Sequence, residues 1–162
     1  MNPKELNADE LRQQLVALAL EWECRYGVSP AITAAVSEFD AARLVGHTAE
    51  SFALDCDGRT AVTRGVDFRH GGLRYQVKAN RPSGKPGSFV TLVAKAKNYE
   101  WDRLIWLLYD REFRILDAWE WTVDNYRTAF DVLTRLSPAH MRRGRDLRQD
   151  NFGIQPTAFG RG

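Results

Sequence analysis

Residues 65–79 of the chain read G-V-D-F-R-H-G-G-L-R-Y-Q-V-K-A, and this stretch decides the predicted fold. Apolar and polar residues alternate on both sides of His70-Gly71-Gly72, which is typical of two β-strands joined by a tight turn. Side chains of a strand alternate between its faces, so Gln76 and Lys78 are predicted to share one face. Asp67 in the first strand can lie on that face once the hairpin forms.

These three side chains bring a carboxylate, an amide oxygen and an ammonium group to one place. Mg²⁺ prefers oxygen ligands, and a neighbouring lysine suits hydrolytic chemistry at a metal. Each residue alone has a commoner interpretation: Asp67 as an acid paired with Arg64 or Arg69, and Gln76 and Lys78 as solvent-facing residues of an edge strand. Only their joint spacing favours a functional site.

The hairpin resembles the catalytic hairpin of the PD-(D/E)XK, or restriction-endonuclease-like, nuclease superfamily. It is most similar to the Mrr-like branch and to related small nuclease-like domains, where D…QxK replaces D…(D/E)xK. In that superfamily a glutamate on the helix before the sheet often completes the metal site. Residues 37–46, S-E-F-D-A-A-R-L-V-G, offer Glu38 for that position. The resemblance covers residues 37–108, about half of the chain.

The resemblance implies metal-dependent hydrolysis of phosphodiester bonds in DNA by an endonuclease of restriction or repair type. Its catalytic residues would be Glu38, Asp67, Gln76 and Lys78. The first three would hold Mg²⁺, for which Mn²⁺ can substitute, together with the backbone carbonyl of Val77. Lys78 would position the attacking water and stabilise charge on the phosphate. Because Gln76 is neutral where the superfamily has an acid, we expect weaker metal binding.

Positive charge is concentrated around the hairpin. Residues 59–97 contain nine Lys and Arg and one acid, Asp67, whereas residues 1–58 contain four Lys and Arg and ten acids. Such a stretch suits an anionic polymer, although a solvated basic face balanced by acidic helices explains it equally well. The predicted contacts to nucleic acid are Arg69, Arg74, Arg81, Lys85, Lys95, Lys97, Arg142 and Arg143.

The remaining pattern predicts a single α/β domain with a mixed central β-sheet flanked by helices, and the resemblance implies a restriction-endonuclease-like core. Asn7 is the predicted N-cap of a first helix that ends at Gly27, with Leu11, Leu15, Leu18 and Trp22 at helical spacing. Further helices are predicted over residues 31–45 and 123–136. Strands are predicted over residues 51–54, 61–69, 73–79, 89–93, 104–109 and 113–121.

We expect residues 1–138 to form the nuclease-like domain, and residues 139–162 to be a basic tail with little order. The sequence contains neither a signal-peptide pattern nor a run of about 20 apolar residues, which favours a cytoplasmic protein without a membrane partner. Two cysteines, Cys24 and Cys56, are too few for a disulfide framework.

Two other functions remain open alongside a DNA endonuclease. The first is a nuclease-like fold that binds nucleic acid or a protein without cutting, which the neutral Gln76 favours. The second is a subunit that cuts only within a homodimer or a larger complex, consistent with the many aromatic residues. Four of these are predicted to lie in the core or in a subunit interface: Trp101, Trp106, Trp119 and Trp121.

Overall fold

Five strands form one mixed sheet in the order β1-β2-β3-β4-β5, with helices packed against it. The structure is a computed structural model that describes residues 5–58, 65–83 and 85–152. The strands are β1 (Phe68–His70), β2 (Leu73–Asn80), β3 (Arg103–Tyr109), β4 (Ile115–Thr122) and β5 (Arg145–Asp146). The helices are α1 (Ala8–Tyr26), α2 (Thr33–Leu44), α3 (Ala49–Asp57), α4 (Val123–Phe130), α5 (Pro138–Met141) and α6 (Leu147–Phe152). None of the helices in the described part of the chain is long and apolar enough to cross a bilayer.

The predicted hairpin is confirmed. β1 pairs antiparallel with β2, and His70 lies opposite Leu73 across a two-residue turn. Gly71 and Gly72 have φ of 57° and 76°, as a type I′ turn requires at both central positions. Glycine adopts this left-handed conformation without steric cost, which explains the Gly-Gly pair. Residues 59–64, most of the predicted first strand, lie outside the described residues.

The central strand is β3, as its apolar sequence predicted. It runs parallel to β2 and antiparallel to β4, and residues 104–107 are fully buried. Because β2 and β3 are parallel, a crossover connection must join them, and residues 81–102 form it. In its described residues this crossover contains no regular strand, so the strand predicted over residues 89–93 is wrong. Val93 forms a single bridge with Leu136, and Phe89 is exposed to solvent.

The sheet separates two hydrophobic cores. The helix-side core covers the face that carries Tyr75, Val77, Ile105 and Leu107, and α1 and α2 pack there through Val16, Val36, Ala41 and Ala42. The crossover-side core covers the opposite face, and it includes Trp101, Trp106, Trp121, Tyr126, Phe130 and Met141. Three of the four predicted core tryptophans are therefore buried, and Trp119 packs partly buried against the same core.

Three sequence-based boundaries differ from the structure. Residues 51–54 belong to helix α3, because Thr48 and Ser51 form a reciprocal capping box that starts a helix there. α4 ends at Phe130, earlier than the predicted residue 136. The predicted tail contributes α5, β5 and α6 to the domain, since Met141 and Leu147 are buried in the two cores.

Partly buried ion pairs attach α1 to the rest of the domain. Arg12 donates to both carboxylate oxygens of Asp40 at 2.6 and 2.7 Å, and the Tyr109 hydroxyl donates to the same carboxylate at 2.6 Å. The hydrogen bonds to Asp40 raise the pKa of Arg12. Near the other end of α1, Glu23 pairs with Arg81 at 2.7 Å. Together these contacts join α1 to α2, to β3 and to the start of the crossover.

Candidate functional site

Asp67 lies immediately before β1, and its side chain ties the hairpin together. Its Oδ2 accepts the backbone N–H of Val77 at 2.7 Å and the side-chain Nε2 of Gln76 at 2.6 Å. Its own backbone N–H donates to the carbonyl of Tyr75 at 2.8 Å. The carboxylate thus accepts a backbone N–H of β2 that a neighbouring strand would otherwise bind, at the point where the pairing of β1 with β2 ends. Asp67 and Gln76 therefore come together as the strand alternation predicted.

The amide group of Gln76 decides whether a cation fits between these residues. Its nitrogen faces the Asp67 carboxylate and lies 3.4 Å from the carbonyl oxygen of Val77. A half-turn of the amide would bring its oxygen to the carboxylate, where two acceptors repel unless a cation lies between them. The donor set would then be a carboxylate, an amide oxygen and a backbone carbonyl, which suits a hard divalent cation. In the observed orientation the amide nitrogen faces the carboxylate, so only the rotated form would offer a metal these three oxygen donors.

Lys78 follows Gln76 on the same face of β2, about 7 Å further along the strand. Its partner across the sheet is Trp106 of β3, and the lysine side chain is half-buried. Among the described residues, its ammonium group makes no hydrogen bond or ion pair. Lys78 is thus a half-buried cation on the same face of β2 as Gln76, and its three donors are available to a ligand.

Glu38 approaches from the other side of the sheet. It lies half-buried on α2, one turn before the fully buried Ala41 and Ala42. α2 covers the face of β2 that carries Tyr75, opposite the face of Gln76 and Lys78. Glu38 can therefore share a site with Asp67 only by reaching around the edge of β2. In the described ranges, no three His, Cys, Asp or Glu side chains are grouped to hold a metal.

Arg81, predicted to contact nucleic acid, is an internal residue. Its side chain is 5% exposed and donates to Glu23, to the hydroxyl of Ser29 and to the carbonyl of Arg111. Its guanidinium also lies 4.6 Å from the centre of the Phe113 ring. These contacts remove Arg81 from the surface that a nucleic acid can reach. Its sequence neighbours Pro82 and Ser83 had suggested an exposed loop instead.

Three other predicted contact residues are engaged within the protein. Arg74 forms an ion pair with Asp102 at 3.1 Å, and its hydrogen bonds lower the pKa of that carboxyl. Lys95 donates to the backbone carbonyls of residues 131 and 133 beyond the end of α4. Arg142 pairs with Asp117 at 2.8 Å.

The remaining four predicted contact residues are exposed cations. Within the described residues, their side chains form no hydrogen bond or ion pair. They are Arg69, Lys85, Lys97 and Arg143.

Asn98 is a residue near the site that the sequence did not single out. Gly65 approaches it so closely that a Cβ at position 65 would lie 2.4 Å from the Asn98 side-chain oxygen. Asn98 also accepts the Glu100 backbone N–H and, through its carbonyl, the indole N–H of Trp101. The crossover is thereby fixed beside the segment that leads into Asp67, with Lys97 next to the contact. An Asn side chain that accepts the backbone N–H two residues further along forms an Asx turn. The tendency of Asn to form this turn was the sequence signal available for Asn98.

No protein-family model matches this chain, and no curated protein sequence matches it. Fold and site together define a single α/β domain with a five-stranded mixed sheet. One hairpin of that sheet brings an aspartate and a glutamine into direct contact, with a lysine beside them on the same face.

Proposed function

We propose that this protein is a metal-dependent endonuclease that hydrolyses phosphodiester bonds in DNA. The observation that carries the proposal is the contact between Asp67 and Gln76, at 2.6 Å, at the point where the β1–β2 ladder ends. It supports the spacing on which the resemblance to the PD-(D/E)XK superfamily depends. A restriction-endonuclease-like core is part of the same proposal.

Each residue has a defined role in this proposal. Asp67, the Gln76 amide oxygen and the Val77 carbonyl would hold Mg²⁺ or Mn²⁺, with Glu38 as a further ligand around the strand edge. The bound metal would lower the pKa of a water molecule and neutralise charge on the phosphate. Lys78 would orient that water and donate hydrogen bonds to the phosphate oxygens. Arg69 and Lys97, which are exposed, would hold the flanking DNA backbone.

The test compares cleavage by the wild type with two site variants. Purified protein is incubated with supercoiled plasmid, single-stranded DNA and RNA, in Mg²⁺, in Mn²⁺ or in a chelator. We expect metal-dependent nicking of DNA, and at least a 100-fold loss in both Asp67→Asn and Lys78→Met, because each removes a group that acts on the reacting phosphate.

Two exposed residues away from the hairpin provide matched controls. Asp124→Asn in the first turn of α4 and Arg135→Met remove the same charges without touching the site, and both should keep wild-type activity. Equal residual cleavage in all five proteins would identify a contaminating nuclease and overturn the proposal.

A second candidate function is binding of nucleic acid without cleavage. The observation that favours it is that Asp67 is already satisfied by the Val77 N–H and the Gln76 amide, as a structural carboxylate would be. In that case fluorescence anisotropy would detect DNA binding that weakens with salt and with Arg69→Ala or Lys97→Ala. It would not change with metal or with Asp67→Asn, and no substrate would be cut.

A further inference from the structure

One side of α1 exposes a continuous row of large apolar side chains to solvent. Consecutive members are three or four residues apart, so they lie on one face of the helix. Their exposed fractions are 58% for Leu11, 39% for Leu15, 69% for Leu18, 54% for Trp22 and 62% for Tyr26. We call these five residues the outer face of α1.

Most of the outer face does not attach α1 to its own domain, since Leu18, Trp22 and Tyr26 are each more than half exposed. That task falls to Val16 and Ala19, which are buried, and to the ion pairs of Arg12 and Glu23. An amphipathic helix normally directs its largest apolar residues toward the core. In α1 Val16, Ala19 and Leu20 face the core, while three of the leucines, Leu11, Leu15 and Leu18, and the tryptophan are exposed to solvent. The helix is therefore built to bury a second surface.

An apolar groove continues the outer face toward α2 and α3. It has a volume of about 340 Å³, and Leu11 and Leu15 form its α1 wall. Phe39 of α2 and Phe52 of α3 form the other walls. The groove is large enough for one aromatic side chain, and it lies beside the N-terminal half of the outer face. The two aromatic residues of that face lie in its C-terminal half.

We propose that a second copy of this chain covers the outer face, with its α1 antiparallel to the first around a twofold axis at Leu18. This arrangement brings Trp22 of each chain against Leu15 of the other, and Tyr26 against Leu11. Each aromatic side chain then lies at the mouth of the partner's groove, and each Leu18 packs on its symmetry mate. A twofold axis makes both halves of the contact identical, as in most homodimers.

The area of the outer face agrees with such a dimer. Its five residues, with the exposed Val28 beyond the helix, present on the order of 700 Å² per chain, close to the roughly 800 Å² per partner of a standard interface. Monomeric proteins rarely expose an apolar patch of that size. The dimer does not depend on the proposed nuclease activity, because α1 lies on the helix side of the sheet and carries none of the proposed catalytic residues.

Sedimentation equilibrium of the full chain tests the association. The measurement covers about 10–100 µM, a concentration range suited to weak dimers. In this range we expect the wild type to have twice the chain mass of 18.5 kDa. Leu18→Glu places two carboxylates on the axis and should weaken dimerisation at least 10-fold. Val132→Glu is the matched control, because Val132 is 87% exposed outside the outer face and should leave the dimer intact. Circular dichroism verifies that each variant is folded.

Cross-linking tests the antiparallel register. In a background that replaces the exposed Cys24 and Cys56 by serine, a short thiol cross-linker should join Leu18→Cys chains to one another. Leu11→Cys chains should not join one another, but should join Tyr26→Cys chains. A wild-type monomer at 100 µM, a dimer unaffected by Leu18→Glu, or efficient Leu11→Cys self-coupling would each overturn the proposal. A monomer that recruits a different protein through Leu18 would identify a foreign partner as the occupant.

Discussion

At the residue scale, the orientation of the Gln76 amide distinguishes a structural role of the hairpin from the proposed catalytic role. With its nitrogen toward Asp67 the amide closes a charge-assisted hydrogen bond, which stabilises the hairpin without any ligand. With its oxygen toward Asp67 the same amide would offer the metal ligand that the proposed function requires. An acid at this position would offer only oxygen, so it would bind metal more tightly but would repel Asp67 when no metal is present. Under the proposed function, glutamine would therefore give weaker metal binding than an acid but a hairpin that is stable without metal.

Gln76→Glu tests this difference directly. Without metal, two carboxylates would lie close together and the hydrogen bond to Asp67 would be lost, so we expect a destabilisation of about 1–3 kcal/mol. That corresponds to a fall of roughly 3–10 °C in Tm for a domain of this size. Mg²⁺ or Mn²⁺ should restore at least half of the loss in Gln76→Glu, while the wild type should gain less from the same metal. Thermal denaturation in chelator and in titrated metal measures both effects.

Gln76→Leu is the control for that experiment. It also removes the hydrogen-bond donor but adds no carboxylate, so its Tm should fall without recovering in metal. If metal raises the Tm of Gln76→Glu and Gln76→Leu equally, the cation binds elsewhere and the hairpin is not the metal site.

At the scale of elements, α1 is held by ion pairs in addition to the apolar contacts of Val16, Ala19 and Leu20. Asp40 accepts three hydrogen bonds, two from Arg12 and one from Tyr109, and only 8% of it is exposed. Asp40→Ala would leave the buried Tyr109 hydroxyl without its acceptor, and the partly buried Arg12 guanidinium with only the Phe113 carbonyl. We expect a loss of about 3–5 kcal/mol in the free energy of unfolding, measured by urea denaturation.

Asp9→Ala is the comparison for Asp40→Ala. Asp9 lies on α1 and pairs with Arg43 of α2 in an exposed contact of 3.6 Å. Its cost should stay below about 1 kcal/mol, as for other surface ion pairs. Similar costs for both variants would show that the Asp40 network does not attach α1 to the domain.

Elements with a local cause could be predicted from the sequence, and elements with a distant cause could not. The Gly71-Gly72 turn, the Asn7 cap and the apolar run of β3 each carry their own signal. Residues 51–54 are too few to distinguish the strand period of two from the helix period of 3.6, and the Thr48 capping box determines that they form a helix. In its described residues the crossover contains no regular strand, and Val93 forms a single bridge with the distant Leu136, which no local pattern encodes.

The same distinction holds for the candidate site. Strand alternation placed Asp67, Gln76 and Lys78 correctly relative to β2, since all three lie in one hairpin. The position of Glu38 depends on which face of the sheet α2 covers, and the sequence of α2 does not specify that face. Arg81 could not be recognised as internal, because its partners Glu23 and Arg111 are far away in the sequence.

At the scale of the whole molecule, the C-terminal segment completes the cores on both faces of the sheet. Its basic composition suggested a separate tail after residue 138. In the structure, Met141 packs in the crossover-side core and its carbonyl accepts the indole N–H of Trp121 at 3.0 Å. β5 then pairs with β4, and Leu147 enters the helix-side core. The segment therefore passes from one core to the other at the edge of the sheet.

Met141→Ala and Leu147→Ala measure how far the domain depends on this segment. Met141 is 1% exposed and Leu147 3% exposed, so each truncation should cost about 2–4 kcal/mol in urea denaturation. Because the two residues lie in different cores, their costs should add in the double variant. Arg143→Ala, an exposed position between them, should change stability by less than about 0.5 kcal/mol. Costs near zero for both core variants would restore a domain boundary at residue 138, since a loosely attached tail loses little when its apolar side chains are shortened.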